Sequence, residues 1–183
     1  DDGISGRPNT VWDVASAAPA LGRFGWKANE PNVRQQTAGA FLGDIGITTS
    51  LFPEEALTPD QREAWPSVAT GAEVEIEDRL LQRVVDYPRT LAPPGRRDVD
   101  RLTVRKGREL FNSANCSACH VPSMKTGVVA DIPELSDQLI WPYTDLLLHD
   151  MGPDLADGRP DFEASGSEWR TPPLWGIGLV EEV

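Results

Sequence analysis

Sulfur-containing and imidazole side chains are scarce in this sequence, which has two cysteines, two histidines and two methionines in 183 residues. A framework of disulfides is excluded, because the two cysteines stand three positions apart and would close only a very small loop. No run approaches the roughly 18 consecutive apolar residues that a membrane-spanning helix requires. The chemistry of the two cysteines therefore has to be decided from their immediate surroundings.

Positive charge is also in short supply, since 17 basic residues stand against 29 acidic ones and give a net charge of −12. Such a surface is poorly suited to nucleic acids and anionic membranes. We therefore expect no nucleic-acid partner and no membrane span. A redox partner protein with a basic surface fits this charge better.

Long regular elements are missing as well, because 16 prolines and 16 glycines interrupt the chain. Apolar residues nevertheless recur at helical spacing, often with proline or a capping side chain at the first turn. These patterns predict short helices near residues 31–43, 58–65, 76–88, 98–111, 133–142 and 143–148. We therefore predict a mainly α fold with long loops, and a loop for most of residues 152–178.

The best candidate for a domain boundary is residues 91–97, which read LAPPGRR and are stiff, helix-breaking and charged. Asp98 or Asp100 is expected to cap the helix that follows. Gly107 in the middle of that helix costs about 1 kcal/mol relative to alanine, which suggests a close crossing by another helix. We predict a loop-rich helical segment over residues 1–97 and a second domain over residues 98–183.

Both cysteines belong to one motif, Cys116-Ser117-Ala118-Cys119-His120. Cys-x-x-Cys-His is the pattern on which a haem of c type is attached, with two thioether bonds and an adjacent histidine for the iron. We predict one covalent haem c on Cys116 and Cys119, with His120 as an iron ligand. Two alternatives remain: a dithiol redox pair, which typically lies in a βαβ unit, and a structural zinc site, which would recruit His149.

The residues that could bind the iron on its other face are few. Met151 follows a predicted helix and precedes Gly152 and Pro153, which form a loop able to cross over the haem. His149 is the alternative, and a ligand from outside this chain is a third possibility. We predict Met151 as the sixth ligand.

Aromatic and basic side chains after the motif are candidates for the walls of a haem pocket. Trp175 is predicted to contact the cofactor, and Trp141 and Trp169 could do the same, although each could equally pack in an ordinary core. Arg170 is predicted to bind haem propionates through its planar guanidinium, as Arg159 could.

Four stretches of the sequence resemble one known family. They are residues 2–9 (DGISGRPN), 22–28 (GRFGWKA), 143–152 (YTDLLLHDMG) and 168–176 (EWRTPPLWG). Together they are similar to the di-haem oxidoreductases, some of which are labelled thiol oxidoreductases, and which are related to the bacterial di-haem cytochrome c peroxidases.

The resemblance implies a periplasmic oxidoreductase with two c-type haem domains. In the peroxidase relatives, a haem of high potential feeds electrons to a second haem, at which peroxide is reduced. The resemblance also implies that residues 98–183 form a cytochrome c-like haem domain. Its first helix would contain Gly107, and its last helix would cross close to that glycine.

The sequence also departs from the family's pattern. It has one Cys-x-x-Cys-His motif, and it ends at Val183, where family members continue into a segment with a further candidate axial histidine. The chain is therefore expected to be a fragment that transfers electrons within a peroxidase-like enzyme and is not a peroxidase by itself. A missing second haem domain or a redox partner protein would complete the system. The competing function is that of a mono-haem electron carrier without catalysis.

Overall fold

The computed structural model describes residues 4, 6–67, 71 and 74–182. In this part of the chain the α-helices are α1 (Val33–Ile45), α2 (Pro59–Ala64), α3 (Asp78–Thr90) and α4 (Leu102–Ser113). The strands are β1 (Thr10–Asp13), β2 (Ala18–Leu21), β3 (Met124–Lys125), β4 (Leu139–Ile140), β5 (Leu148–Asp150) and β6 (Glu168–Arg170). They form three antiparallel pairs, β1–β2, β3–β4 and β5–β6. No helix of the described residues is long and apolar enough to cross a membrane.

The chain divides into two compact units. The first, which we call the motif unit because it contains residues 116–120, consists of the described residues of Asp1–Asn9, Trp26–Ala28 and Ala92–Val183. The second, the helix-pair unit, consists of those of Thr10–Gly25 and Asn29–Leu91. Residues 4–9 and 26–28 thus belong with the motif although they lie far before it in the sequence.

The helix-pair unit is built on the contact between α1 and α3. Ala38 of α1 packs against Leu81 and Val85 of α3, and all three side chains are buried. Arg34 reaches across the pair to Asp78 with a nitrogen–oxygen distance of 2.8 Å. The strands β1 and β2 form a hairpin in the same unit.

The motif unit is held together by backbone pairing over long sequence distances. Strand β5 pairs with β6, and Leu148 also exchanges two backbone hydrogen bonds with Arg7. Asn9 is buried and donates its amide to the carbonyl oxygen of Lys27 at 2.8 Å. Ala28, Leu148 and Ala164 form a small buried apolar cluster in the same unit.

The prediction of a mainly α, cytochrome c-like fold is wrong. In residues 98–183, α4 is the one α-helix among the described residues, and the rest consists of strand pairs, short 3-10 turns and loops. The helix expected near 133–142 is a 3-10 turn, Pro133–Leu135, followed by strand β4. The helix expected over 143–148 is an irregular stretch that leads into β5.

Local side-chain hydrogen bonds explain the absence of a helix at 143–148. The hydroxyl of Thr144 accepts a hydrogen bond from the backbone N–H of Leu146, and the carboxylate of Asp145 accepts one from that of Leu147. Such bonds compete with the helical ladder for the same backbone groups. Tyr143 and Leu146 also have φ angles of 54° and 61°, which a right-handed helix does not contain.

The helices with local start signals were predicted well. Helix α1 begins after the cap Asn32 and ends at Gly46, which has a φ of 69°. Helix α2 begins at Pro59 with a capping box between Thr58 and Gln61. Two details were wrong, because Pro88 lies inside the last turn of α3 and Arg101, not an aspartate, occupies the cap of α4.

The ion pair between Arg7 and Glu168 predicts acid-sensitive stability. Its Arg7 Nε to Glu168 Oε1 distance is 2.6 Å, and the hydrogen bond from Arg7 lowers the pKa of Glu168 from 4.5 to about 2. A carboxylate with a lowered pKa stabilises the fold above its unfolded pKa, and this contribution is lost as the pH falls from about 4.5 to about 2. We expect Glu168→Gln to lower the free energy of unfolding by about 2 kcal/mol at neutral pH, a value discounted because Arg7 is 43% exposed.

Urea unfolding at several pH values measures this effect. The difference between the wild type and Glu168→Gln should shrink as the pH falls below about 4.5. The matched control is Glu54→Gln, because Glu54 pairs with Arg62 while 81% of its side chain is exposed. A Glu168→Gln effect as small as that of the control at neutral pH would contradict the prediction.

Candidate functional site

The cysteine motif follows directly on α4. Helix α4 ends at Ser113, and Asn115 then adopts a left-handed conformation with a φ of 60°. This turn starts the 3-10 helix Cys116–Ala118, and the N–H of His120 donates to the carbonyl of Cys116 at 3.0 Å. Cys116 is exposed and Cys119 is half-buried, and the two sulfurs are not joined in a disulfide. The turn therefore presents two thiols and one imidazole within five residues.

The ring of His120 is oriented by a backbone carbonyl. Its Nδ1 lies 2.9 Å from the carbonyl oxygen of Tyr143, so Nδ1 carries the proton and donates. In this tautomer Nε2 has the lone pair and is the nitrogen that can bind a metal. Tyr143 points its carbonyl at the ring from a left-handed backbone conformation, which is uncommon for a residue other than glycine.

The neighbour of Tyr143 fixes this unusual backbone in place. Thr144 is fully buried, and its hydroxyl donates to the carbonyl of Thr171 at 2.6 Å. Its backbone N–H donates to the carbonyl of Val121 at 3.1 Å. Val121, which directly follows the motif, is thereby bonded to the segment 143–144, which supplies the carbonyl for His120.

Phe111 connects α4 to the same site. Its ring lies 6.2 Å from the ring of His120 and 5.7 Å from that of Tyr143, and the second pair is nearly perpendicular. Edge-to-face pairs of this kind contribute about 0.5–1.5 kcal/mol beyond the area they bury. The predicted helix face that contains Phe111 thus packs on the imidazole.

His149 lies beside the second cysteine and is buried. Its Nε2 is 2.7 Å from Asp145 Oδ2, and its Nδ1 is 3.8 Å from the sulfur of Cys119. Gly6 packs so closely on this ring that a methyl group there would lie 2.7 Å from Nε2. His149 is therefore held between a carboxylate and a thiol, with both nitrogens engaged.

A cavity of about 500 Å³ is lined in part by Phe111 and Tyr143. Its walls are mainly apolar and include the indoles of Trp141 and Trp175. Ligand pockets commonly have volumes of about 300–1,000 Å³ and a mainly apolar lining. The cysteines and His120 do not line this cavity themselves, and they adjoin it through the two shared aromatic residues.

The other predicted site residues are spread more widely. Met151 is 49% exposed, and its backbone N–H donates to the carbonyl of Ser167. Arg170 lies in β6, where burial lowers its pKa. Arg159 is exposed, and Trp169 packs over the ammonium of Lys27. Of the predicted side chains after the motif, Trp175 and Trp141 line the cavity, whereas Met151, Arg159 and Arg170 do not.

The geometry bears on the two alternative uses of the cysteines. Among the described residues no three His, Cys, Asp or Glu side chains are grouped so that they could hold a metal ion. The described strands pair only antiparallel, so they form no βαβ unit of the kind in which thioredoxin-like dithiols lie.

Several residues at the site could not be identified from the sequence. Tyr143 acts through its carbonyl, and no sequence signal reveals a carbonyl acceptor. Asp145 had a weak signal, since it stands four residues before His149. Arg96 and Arg97 line the cavity, although the sequence indicated only a linker there.

Comparison with known proteins gives one family match. The chain matches the family described as "Di-haem oxidoreductase, putative peroxidase" over residues 1–183. No curated protein and no solved structure matches it. The match covers both compact units, including the four stretches on which the resemblance was based.

Proposed function

The chain belongs to the di-haem oxidoreductase family, and from this premise we propose that it carries one covalent haem c and exchanges electrons with a redox partner at the haem iron. The proposal assigns the thioether bonds to Cys116 and Cys119 and the iron bond to His120. It places the chain in the periplasm, where c-type haem proteins of the family's peroxidase relatives occur.

The orientation of His120 is the observation that carries the proposal. A histidine that binds iron through Nε2 usually donates its Nδ1 proton to a carbonyl or carboxylate, which fixes the tautomer and the plane of the ring. Tyr143 supplies that carbonyl at 2.9 Å. The donor set of two thiols and one imidazole therefore fits a haem of c type.

The exposure of the cysteines supports covalent attachment. Cys116 is exposed and Cys119 is half-buried on one short turn, so neither cysteine is enclosed in the core. When bound, the haem would supply an iron that cycles between two oxidation states. The task of the chain is then to hold the ring, orient His120 and set the polarity around the iron.

The sixth ligand remains a prediction. Met151 stands in the loop after β5 with half of its surface exposed, so its side chain is not committed to the core and can serve as an iron ligand. His149 is less suitable, because its two nitrogens face Asp145 and Cys119. We therefore propose Met151 in preference to His149.

Peroxide reduction is proposed for a larger assembly and not for this chain alone. All the cysteines of the chain lie in one motif, so one haem is the most it can attach in this way. A relay between two haems needs a second one, from another domain or a partner protein. This chain would then act as the electron-transfer part of a peroxidase-like oxidoreductase.

Absorption spectra of the haem-loaded chain test the redox role and the sixth ligand together. We expect reversible spectral changes on reduction and reoxidation, with one haem per chain. Ligation by a methionine would give the oxidised protein a weak band at the red end of the visible spectrum, and Met151→Ala should abolish it. A Met151→Ala protein that keeps this band would contradict the assignment of Met151.

A dithiol oxidoreductase is the second candidate, and one contact favours it. The sulfur of Cys119 lies 3.8 Å from Nδ1 of His149, whose Nε2 donates to Asp145. A thiol, an imidazole and a carboxylate in this order resemble an activated nucleophile. Alkylation of the purified chain separates the candidates, because thioether-bound sulfurs do not react, whereas a dithiol would take up two alkyl groups.

A further inference from the structure

The cavity beside Phe111 and Tyr143 has two walls that sequence analysis assigned to a linker and a loop. One wall is the segment 93–97, and the other is the segment 174–179. Both belong to the motif unit. The stretch that separates the predicted domains therefore builds a binding cavity.

Two glycines allow these walls to meet. Gly176 has a φ of 74°, and a Cβ at this position would lie 3.1 Å from Cγ of Pro94. A Cβ at Gly178 would lie 2.9 Å from a guanidinium nitrogen of Arg97. That guanidinium donates to the carbonyl of Gly178 at 2.9 Å, so the absence of a side chain there makes room for the arginine.

The charge of the cavity is opposite to that of the protein. Arg96 and Arg97 are the charged side chains among its described lining residues, whereas the whole chain has a net charge of −12. Both arginines are exposed, and neither forms an ion pair with a carboxylate within the described residues. The remaining guanidinium donors are thus available to an anionic ligand.

We propose that Arg96 and Arg97 bind the two propionate groups of the haem at the rim of this cavity. This inference rests on the proposed function, and it replaces Arg170 and Arg159 in that role. A cavity with indole walls and a pair of guanidinium groups is complementary to a flat apolar ring with two carboxylates at one edge. Phe111 and Tyr143 both line the cavity and contact His120, so the cavity lies next to the imidazole that would bind the iron.

Binding of free haemin to the full chain with Cys116→Ala and Cys119→Ala tests the proposal without covalent attachment. We expect haemin to bind at least tenfold more tightly than its dimethyl ester, in which both carboxylates are blocked. Arg96→Gln and Arg97→Gln should each weaken haemin binding about tenfold and leave binding of the ester unchanged. Arg105→Gln is the matched control, because Arg105 is exposed and does not line the cavity, and it should change neither affinity.

The midpoint potential of haem-loaded variants, compared with that of the wild type, is a second measurement that does not depend on free haemin. Arg96→Gln with Arg97→Gln should raise the ratio of oxidised to reduced haem about tenfold at the wild-type midpoint potential, because two positive charges near the iron are lost. The charge-matched pair Arg83→Gln and Arg105→Gln should have little effect, because both arginines are exposed and neither lines the cavity. Lysine at positions 96 and 97 should restore most of the wild-type ratio.

Two results would overturn the inference. The first is equal binding of haemin and its ester by the chain without cysteines. The second is a haem-loaded protein with Arg96→Gln and Arg97→Gln that has the same ratio of oxidised to reduced haem as the control pair. This second result decides the question if the chain without cysteines binds neither compound. Absence of covalent haem from the wild type would instead refute the proposed function itself.

Discussion

Replacement of both Cys116 and Cys119 by alanine is expected to abolish covalent haem attachment completely. The two sulfurs are the chain's whole supply of thiols, so no other residue can form a thioether bond. A single replacement should leave one thioether and a chain that still carries haem in lower yield. The expected loss for the double variant is from about one haem per chain to none that survives extraction with acidified acetone.

Haem staining of a denaturing gel and extraction of the haem measure this effect. Ser117→Ala is the matched control, because residue 117 lies between the cysteines on the same 3-10 turn and is not a thiol. His120→Ala should separate attachment from ligation, since both thioether sulfurs remain while the iron loses an axial ligand. Haem that stays bound to the double variant after denaturation would contradict the assignment.

Lys27→Met is expected to destabilise the fold strongly, although Lys27 lies outside the haem site. Lys27 is 4% exposed, and its ammonium donates to the carbonyls of Ser165 and Glu168 at 2.9 and 3.1 Å. It also pairs with Asp157 at 3.1 Å and lies 4.1 Å from the ring of Trp169. Loss of the ammonium removes two hydrogen bonds to backbone carbonyls and the ion pair with Asp157 from a buried site, at a cost of about 3 kcal/mol.

The midpoint of urea unfolding checks this prediction. Lys125→Met is the matched control, because Lys125 pairs with Asp137 at 2.8 Å while both side chains are more than half exposed. An exposed pair of this kind contributes about 0–1 kcal/mol. Equal shifts of the midpoint for the two variants would show that burial of Lys27 adds nothing to stability.

The elements that the sequence predicted correctly are those with a local cause. Thr58, Pro59 and Gln61 form the start of α2 within four residues, and the Cys-x-x-Cys-His motif is equally short. Such signals act between neighbours and can be recognised without knowledge of the tertiary structure. These signals predicted the helices of the helix-pair unit and the cysteine motif of the candidate site.

The elements that were missed depend on contacts between distant residues. Strand β5 is a strand because it pairs with Glu168–Arg170 and with Arg7, and no pattern of three residues reveals those partners. The same segment appeared helical because its leucines recur at short spacing, whereas Thr144 and Asp145 hold its backbone in turns. The fold class was therefore wrong where the motif unit depends on long-range pairing.

The residues that surround the motif could not be predicted from the sequence for a related reason. The carbonyl of Tyr143 reaches His120 because the backbone is left-handed at that residue, and Arg97 reaches the backbone of Gly178 because no side chain stands there. Both depend on backbone conformation and packing. A sequence identifies the groups that can react, and the fold decides which groups surround them.

The pyridine haemochrome spectrum of the chain, produced in cells that attach c-type haem, tests the central claim most directly. The account predicts the spectrum of a haem with two thioether bonds, at one haem per chain, together with a protein mass that exceeds the bare polypeptide by one haem. A mass equal to that of the polypeptide, with both thiols free to react, would contradict it.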